Sequence, residues 1–138
     1  MTENPAVDSP SEPPPSKPRR VLLLGAAGLI GSEVLARFVA GPGAVRAVAR
    51  RAGPELAGVE WRSLDLSTLL DAAAWLPHLE GVDVVVNCAG LLQGGASRAV
   101  HVDSAGALYA ACEQAHVRRV VHLSAIGVER GTVSEFSA

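Results

Sequence analysis

The spacing of hydrophobic positions changes several times along the chain, and each change marks an element. Val21-Leu22-Leu23-Leu24 is a continuous apolar run ended by Gly25, the pattern of a strand buried on both faces. From Leu29 to Ala40 the period switches: Ile30, Val34, Leu35, Phe38 and Val39 fall on one helical stripe, with Ser32, Glu33 and Arg37 off it. Gly41-Pro42-Gly43 stops that helix. Ala44 to Ala49 predicts a second strand and Val59 to Arg62 a third, joined by a Gly- and Pro-containing connection too short for a good helix. A helix is expected over Thr68 to Leu79, unsettled near its end by Pro77, and Val82 to Asn87 predicts the clearest strand. Ser97 to Ala115 is expected to be helical despite Gly106, and Arg119 to Leu123 predicts a fifth strand.

Buried strands alternating with amphipathic helices call for an α/β architecture, a parallel sheet covered by crossover helices. Such crossovers are right-handed, and the glycine turn follows the first strand, so the expected spatial order is 3-2-1-4-5 in a doubly wound sheet. Ligands of these sheets bind beyond the carboxyl ends of the strands, where the order reverses between strands one and four. Gly25 and Cys88 therefore belong to one crevice.

Residues 1–19 read differently. Met1 to Pro18 hold six of the nine prolines, interspersed with Ser, Glu and Asp, and cannot bury enough apolar surface to offset their ordering entropy. They are expected to be a disordered tail before a domain spanning 20–138. Pro13-Pro14-Pro15 also allows an SH3-type ligand reading, with a solvated extension as the simpler one. No apolar segment of the signal-peptide type precedes Arg19-Arg20.

At 49% hydrophobic residues the chain suits one globular domain, and a net charge of -2 with scattered bases excludes a general nucleic-acid binder. The longest apolar stretch, Val21 to Gly31, falls short of the roughly 18 residues a bilayer span requires. Cys88 and Cys112 lack metal-ligand spacing and read as reduced core thiols, so a cytoplasmic location is expected. His78, His101, His116 and His122 share no ligand spacing either, and no metal site is expected.

The chemistry begins at Gly25-Ala26-Ala27-Gly28-Leu29-Ile30-Gly31, set between a buried strand and an amphipathic helix. A pyrophosphate there would meet backbone N–H groups, including those of Ala27, Leu29 and Ile30, at the positive end of the helix. Gly25 permits the tight turn, Gly28 lets the phosphate approach, and Gly31 lets the helix pack on the sheet. Arg50 and Arg51 end strand two, where an NAD site would present a carboxylate to the ribose 2′-hydroxyl. Guanidinium groups suit a 2′-phosphate instead, so NADP(H) is preferred over NAD(H).

The G-x-x-G-x-x-G spacing resembles that of the short-chain dehydrogenase/reductase superfamily in its extended or atypical branches. These include nucleotide-sugar epimerases, isoflavone-reductase-like enzymes, NmrA-like regulators and a complex I accessory subunit. Three further motifs stand in the family's order: Asp65-Leu66 after strand three, Asn87-Cys88-Ala89-Gly90 after strand four, and Val120-Val121-His122-Leu123-Ser124-Ala125 at strand five. The resemblance runs from about Arg20 to the C-terminus and implies a Rossmann-type fold. It further implies that Asp65 and Leu66 lie against the adenine, that Ala89 and Gly90 pass close to the ribose, and that Ser124 is the active-site serine. Read by themselves, Asp65 has the alternative of capping a helix beside Ser67 and Thr68, with the adenine role preferred because Leu66 would pack on the ring at the same time, and Asn87 could satisfy its own turn.

In the family the serine works with a Tyr-x-x-x-Lys pair, in which lysine lowers the phenol's pKa. Phe136 occupies the place expected for that tyrosine, and no lysine follows before Ala138. Tyr109, the single tyrosine, falls within the helix after strand four and reads as a packing or surface residue. Strand five should lie at the sheet edge with Val120, Val121 and Leu123 uncovered. The chain is therefore expected to be the N-terminal part of a longer protein, or to complete its sheet by self-association at that edge. Two functions follow: the NADP(H)-binding domain of an oxidoreductase or epimerase with an unidentified small-molecule substrate, or a non-catalytic NADP(H)-binding redox-sensor or assembly module.

Overall fold

The computed structural model describes residues 19–89 and 99–123, with backbone alone at 99–101. Its elements in chain order are β1 (Arg20–Leu24), α1 (Leu29–Val39), β2 (Ala44–Ala49), β3 (Val59–Ser63), α2 (Ala72–Trp75), β4 (Val84–Asn87), α3 (Ala105–Gln114) and β5 (Arg119–His122). The five strands form one parallel sheet in the order β3-β2-β1-β4-β5. This is the expected Rossmann-type arrangement, with β1 central: Leu22 is in register with Arg46 of β2 and Val85 of β4.

Alternate residues of each strand feed opposite layers, as the pleat requires. Val21, Leu23, Val45, Ala47 and Val86 face α1 and pack with Leu35, Val34, Phe38 and Val39. Leu22, Leu24, Val48 and Val85 face the other layer and pack with Trp75, Leu79, Leu108, Ala111 and Cys112. Both faces of β1 are thus covered, which is why its sequence is apolar without alternation. Ile30 departs from the expected stripe, being 49% exposed in the first turn of α1 at the mouth of the fold.

The helix expected over Thr68 to Leu79 is broken into three short pieces. A 3-10 turn at Leu66–Thr68 ends at Leu69, whose ψ of 73° leaves the helical region. Asp71 then starts α2 by accepting the Ala74 N–H at 2.8 Å, and Pro77 forces a second 3-10 turn at Leu76–His78. Side-chain capping at two aspartates outcompetes the apolar period there. The helix before β5 likewise starts as a π-helical turn, Ala99–Ser104. β4 begins two residues later than expected, because Val82 N–H bonds back to Leu79 and Asp83 caps the start of β1 through Arg20 N–H.

Arg46 breaks the apolar pattern of β2 yet is only 4% exposed. Its guanidinium donates to the carbonyls of His78 at 2.7 Å and Glu80 at 3.0 Å, and to Glu60 at 3.3 Å. The side chain thereby satisfies carbonyls at the end of the second 3-10 turn that the turn itself cannot. At the far edge, β5 is exposed along its length, with Val120 at 38% and Val121 and Leu123 at 47%.

Candidate functional site

The turn after β1 is built from the backbone. Gly25, at φ 73°, takes the left-handed conformation, and its N–H and that of Ala26 both donate to Val48 O of β2. A Cβ at Gly25 would lie 2.8 Å from the backbone of Cys88 and Ala89, so the chain leaving β4 passes against this turn. Gly28 is the N-cap of α1 and supplies no side-chain cap, and the first helical turn carries no acid. The amide donors of that turn are thus left for a ligand, at the end where the helix dipole favours an anion.

These pieces line a cleft of about 810 Å³. Gly25, Ala27 and Gly28 form one side, and Val48, Ala49, Arg50 and Arg51 continue it from the end of β2. Leu64, Asp65, Leu66 and Ser67 close it after β3, and Cys88 and Ala89 after β4. The structure therefore gathers Gly25, Ala27, Gly28, Arg50, Arg51, Asp65, Leu66 and Ala89 into one cleft, although they come from four separate loops. Gly31 lies beneath it, buried in α1, while Leu29 and Ile30 are exposed outside its lining. Gly90, Ser124, Phe136 and the 1–18 portion of the tail fall outside the described residues. Val48, Ala49 and Leu64 were not singled out as site residues by their sequence, since apolar strand ends carry no motif, and Ser67 was read only as a neighbour of the Asp65 cap.

Asp65 is exposed and caps the 3-10 turn: Ser67 donates to Oδ1 from its N–H at 3.0 Å and from its hydroxyl at 2.6 Å. Those bonds, with the nearby Arg50 charge, hold the carboxyl below the usual range, so Asp65 presents an anion to the cleft. Asn87 instead stands behind the wall. Its Oδ1 accepts Ala89 N–H at 3.1 Å and its Nδ2 faces Tyr109 Oη at 3.3 Å, while the Tyr109 hydroxyl also contacts His122 Nδ1. The own-turn reading of Asn87 is the one its contacts match, and half-buried Tyr109 packs edge-on to His122 with its ring centroid 5.7 Å away. Burial raises the pKa of the Cys88 thiol, which keeps it protonated in the cleft wall.

A family model described as NAD(P)H-binding matches residues 25–138, most of the chain. The chain belongs to this NAD(P)H-binding family. Solved structures with the same fold include uronate dehydrogenase from Agrobacterium tumefaciens, 23% identical with a TM-score of 0.69, covering 80% of this chain and 42% of that one. The Bordetella bronchiseptica enzyme WbmG, solved with NAD, is 18% identical with a TM-score of 0.73 over 90% of this chain and 47% of that one. A short-chain dehydrogenase/reductase from Burkholderia vietnamiensis is 21% identical with a TM-score of 0.71, covering 88% of this chain and 73% of that one. No curated protein matches the sequence. The expected Rossmann-type domain for a nicotinamide dinucleotide is thus borne out, by the family match for the cofactor class and by the neighbours for the fold, which they share with a short-chain dehydrogenase/reductase. This NAD(P)H-binding domain spans less than half the length of the first two of these neighbours. Among the described residues, no helix is long and apolar enough to cross a membrane, and no cluster of three metal-ligating side chains occurs.

Proposed function

We propose that the chain is the NADP(H)-binding domain of an atypical or extended short-chain dehydrogenase/reductase-like oxidoreductase or epimerase. The observation that carries this reading is the lining of the cleft: two arginines, Arg50 and Arg51, share it with the uncapped start of α1 and with Asp65. The amides of the glycine turn would hold the pyrophosphate, and the arginines the 2′-phosphate through charge-assisted hydrogen bonds. Asp65 and Leu66 would take the adenine, one by a polar contact and the other by packing. The bound nicotinamide would supply hydride chemistry, and Ser124 would orient the substrate's reacting oxygen.

Calorimetric titration of the chain with NADPH and NADH tests the reading. Micromolar NADPH binding with much weaker NADH binding is expected. Equal affinity for the two would remove the 2′-phosphate role of the arginines, and absence of both would remove the cofactor site.

A second reading, a non-catalytic NADP(H)-binding sensor or assembly module, draws on Phe136. A phenyl ring cannot transfer a proton, and the hydroxyl of Tyr109, the single tyrosine, is engaged with Asn87 and His122 behind the cleft wall. Binding of NADPH without hydride transfer to any carbonyl substrate of the full-length protein would favour this module. The cytoplasmic location and self-association at the β5 edge belong to the same set of proposals.

A further inference from the structure

Arg50 and Arg51 head a loop, residues 50–58, that has no helix or strand to hold it. Arginine side chains on a freely moving loop would discriminate poorly between a ribose hydroxyl and a ribose phosphate, because each productive geometry must be selected from many. Its far end is tied to the sheet, where Gly58 O accepts the Val45 N–H at 2.9 Å and half-buried Leu56 packs on the core; nearer the arginines a side chain holds it. Trp61, in β3 and in register with Ala47 of β2, donates its indole N–H to Pro54 O at 3.0 Å. The same ring lies against Gly53: a Cβ there would sit 2.4 Å from Cζ2 and 2.8 Å from Cη2. The other side of Trp61 packs with the layer beneath α1, which anchors the indole to the core.

We infer that Trp61 is the positioning residue for 2′-phosphate recognition, clamping Gly53-Pro54 so that Arg50 and Arg51 are held at the cleft. Gly53 follows Arg51 by two residues, so a displacement of the clamped pair is passed directly to the arginines. Trp61 is not itself among the residues lining the cleft, so its effect on the nucleotide would be exerted through the loop. The inference rests on the NADP(H) reading proposed above.

Two variants approach the clamp from opposite sides. Trp61→Phe keeps an aromatic ring on the core and loses the N–H donor, whereas Gly53→Ala places a methyl group where the indole already is. Each is titrated with NADPH and NADH beside wild type, with thermal denaturation of the same samples. The expected result is a fall in the NADPH-to-NADH affinity ratio on the order of 3–10-fold, with NADH affinity nearly unchanged. A wild-type protein that prefers NADPH, together with variants that keep its ratio, would overturn the clamp. So would equal weakening of both nucleotides, which is the mark of a general structural role. A wild-type protein without preference would instead strike at the arginine assignment itself, and the clamp would fall with it.

Discussion

Gly31 faces the carbonyl oxygen of Gly25 so closely that a Cβ on Gly31 would lie 1.9 Å from it. That oxygen also accepts the Gly28 N–H at 3.0 Å, so it cannot move without opening the turn. Gly31→Ala should therefore push α1 off the sheet and unmake the amide cradle at once. A destabilisation of about 1–3 kcal/mol is expected, visible as a lower urea midpoint, together with lost nucleotide binding. An unchanged midpoint would mean that α1 can slide without cost.

Gly28 separates binding from folding. A Cβ there would meet Gly25 O at 3.3 Å, a tight contact, and the residue has the extended backbone any side chain adopts. Gly28→Val should accordingly fold, with a far-ultraviolet spectrum like wild type, and fail to bind NADPH or NADH because its side chain occupies the phosphate approach. Retained affinity would make the loop a structural turn only.

Arg50→Glu puts a like charge beside a bound 2′-phosphate. Loss of one charge-assisted contact should lower NADPH affinity by roughly 10–100-fold and change NADH affinity little. Matching losses for the two nucleotides, read by calorimetry, would dissociate Arg50 from the 2′-position.

His78 gives the fold a pH dependence. Burial, then the charges of Arg62 and Arg46, hold its pKa below the ordinary 6.5, and its Nδ1 faces Arg62 Nη1 at 2.9 Å. As pH falls, the unfolded chain takes up the proton first. Stability should therefore decline as pH drops through about 6.5 and level off below the lower folded-state value. His78→Asn keeps a hydrogen-bond acceptor that does not titrate, so this part of the urea-midpoint curve should flatten. A variant curve as steep as that of wild type would place the dependence elsewhere.

Much of this was legible because it is written in periods and turns. The continuous run Val21 to Leu24 gave β1, the glycine spacing marked the turn beside it, and β2 matches its expected bounds of Ala44 to Ala49. Thr68 to Leu79 misled because its apolar spacing is helical, while Asp65, Asp71 and Pro77 divide the backbone. Ile30 misled for a related reason: the stripe describes a helix packed along its whole length, and the first turn of α1 projects past the sheet. Ser67 was legible only as a partner in the Asp65 cap, which its two hydrogen bonds to that carboxylate match, and Trp61 could not have been found by motif. The relevance of Trp61 arises from its hydrogen bond to Pro54, which joins residues seven apart around an irregular loop.

The buried guanidinium of Arg46 bears on how the domain assembles. Until residues 76–80 arrive with their carbonyls, Arg46 has Glu60 of β3 as its side-chain partner and would have to leave water with its Nη1 donors unpaired, which opposes docking. Strand and turn must consequently close together. The central sheet and the segment between β3 and β4 form one cooperative opening unit, so the floor of the cleft at Val48 and Ala49 cannot loosen while that segment stays shut.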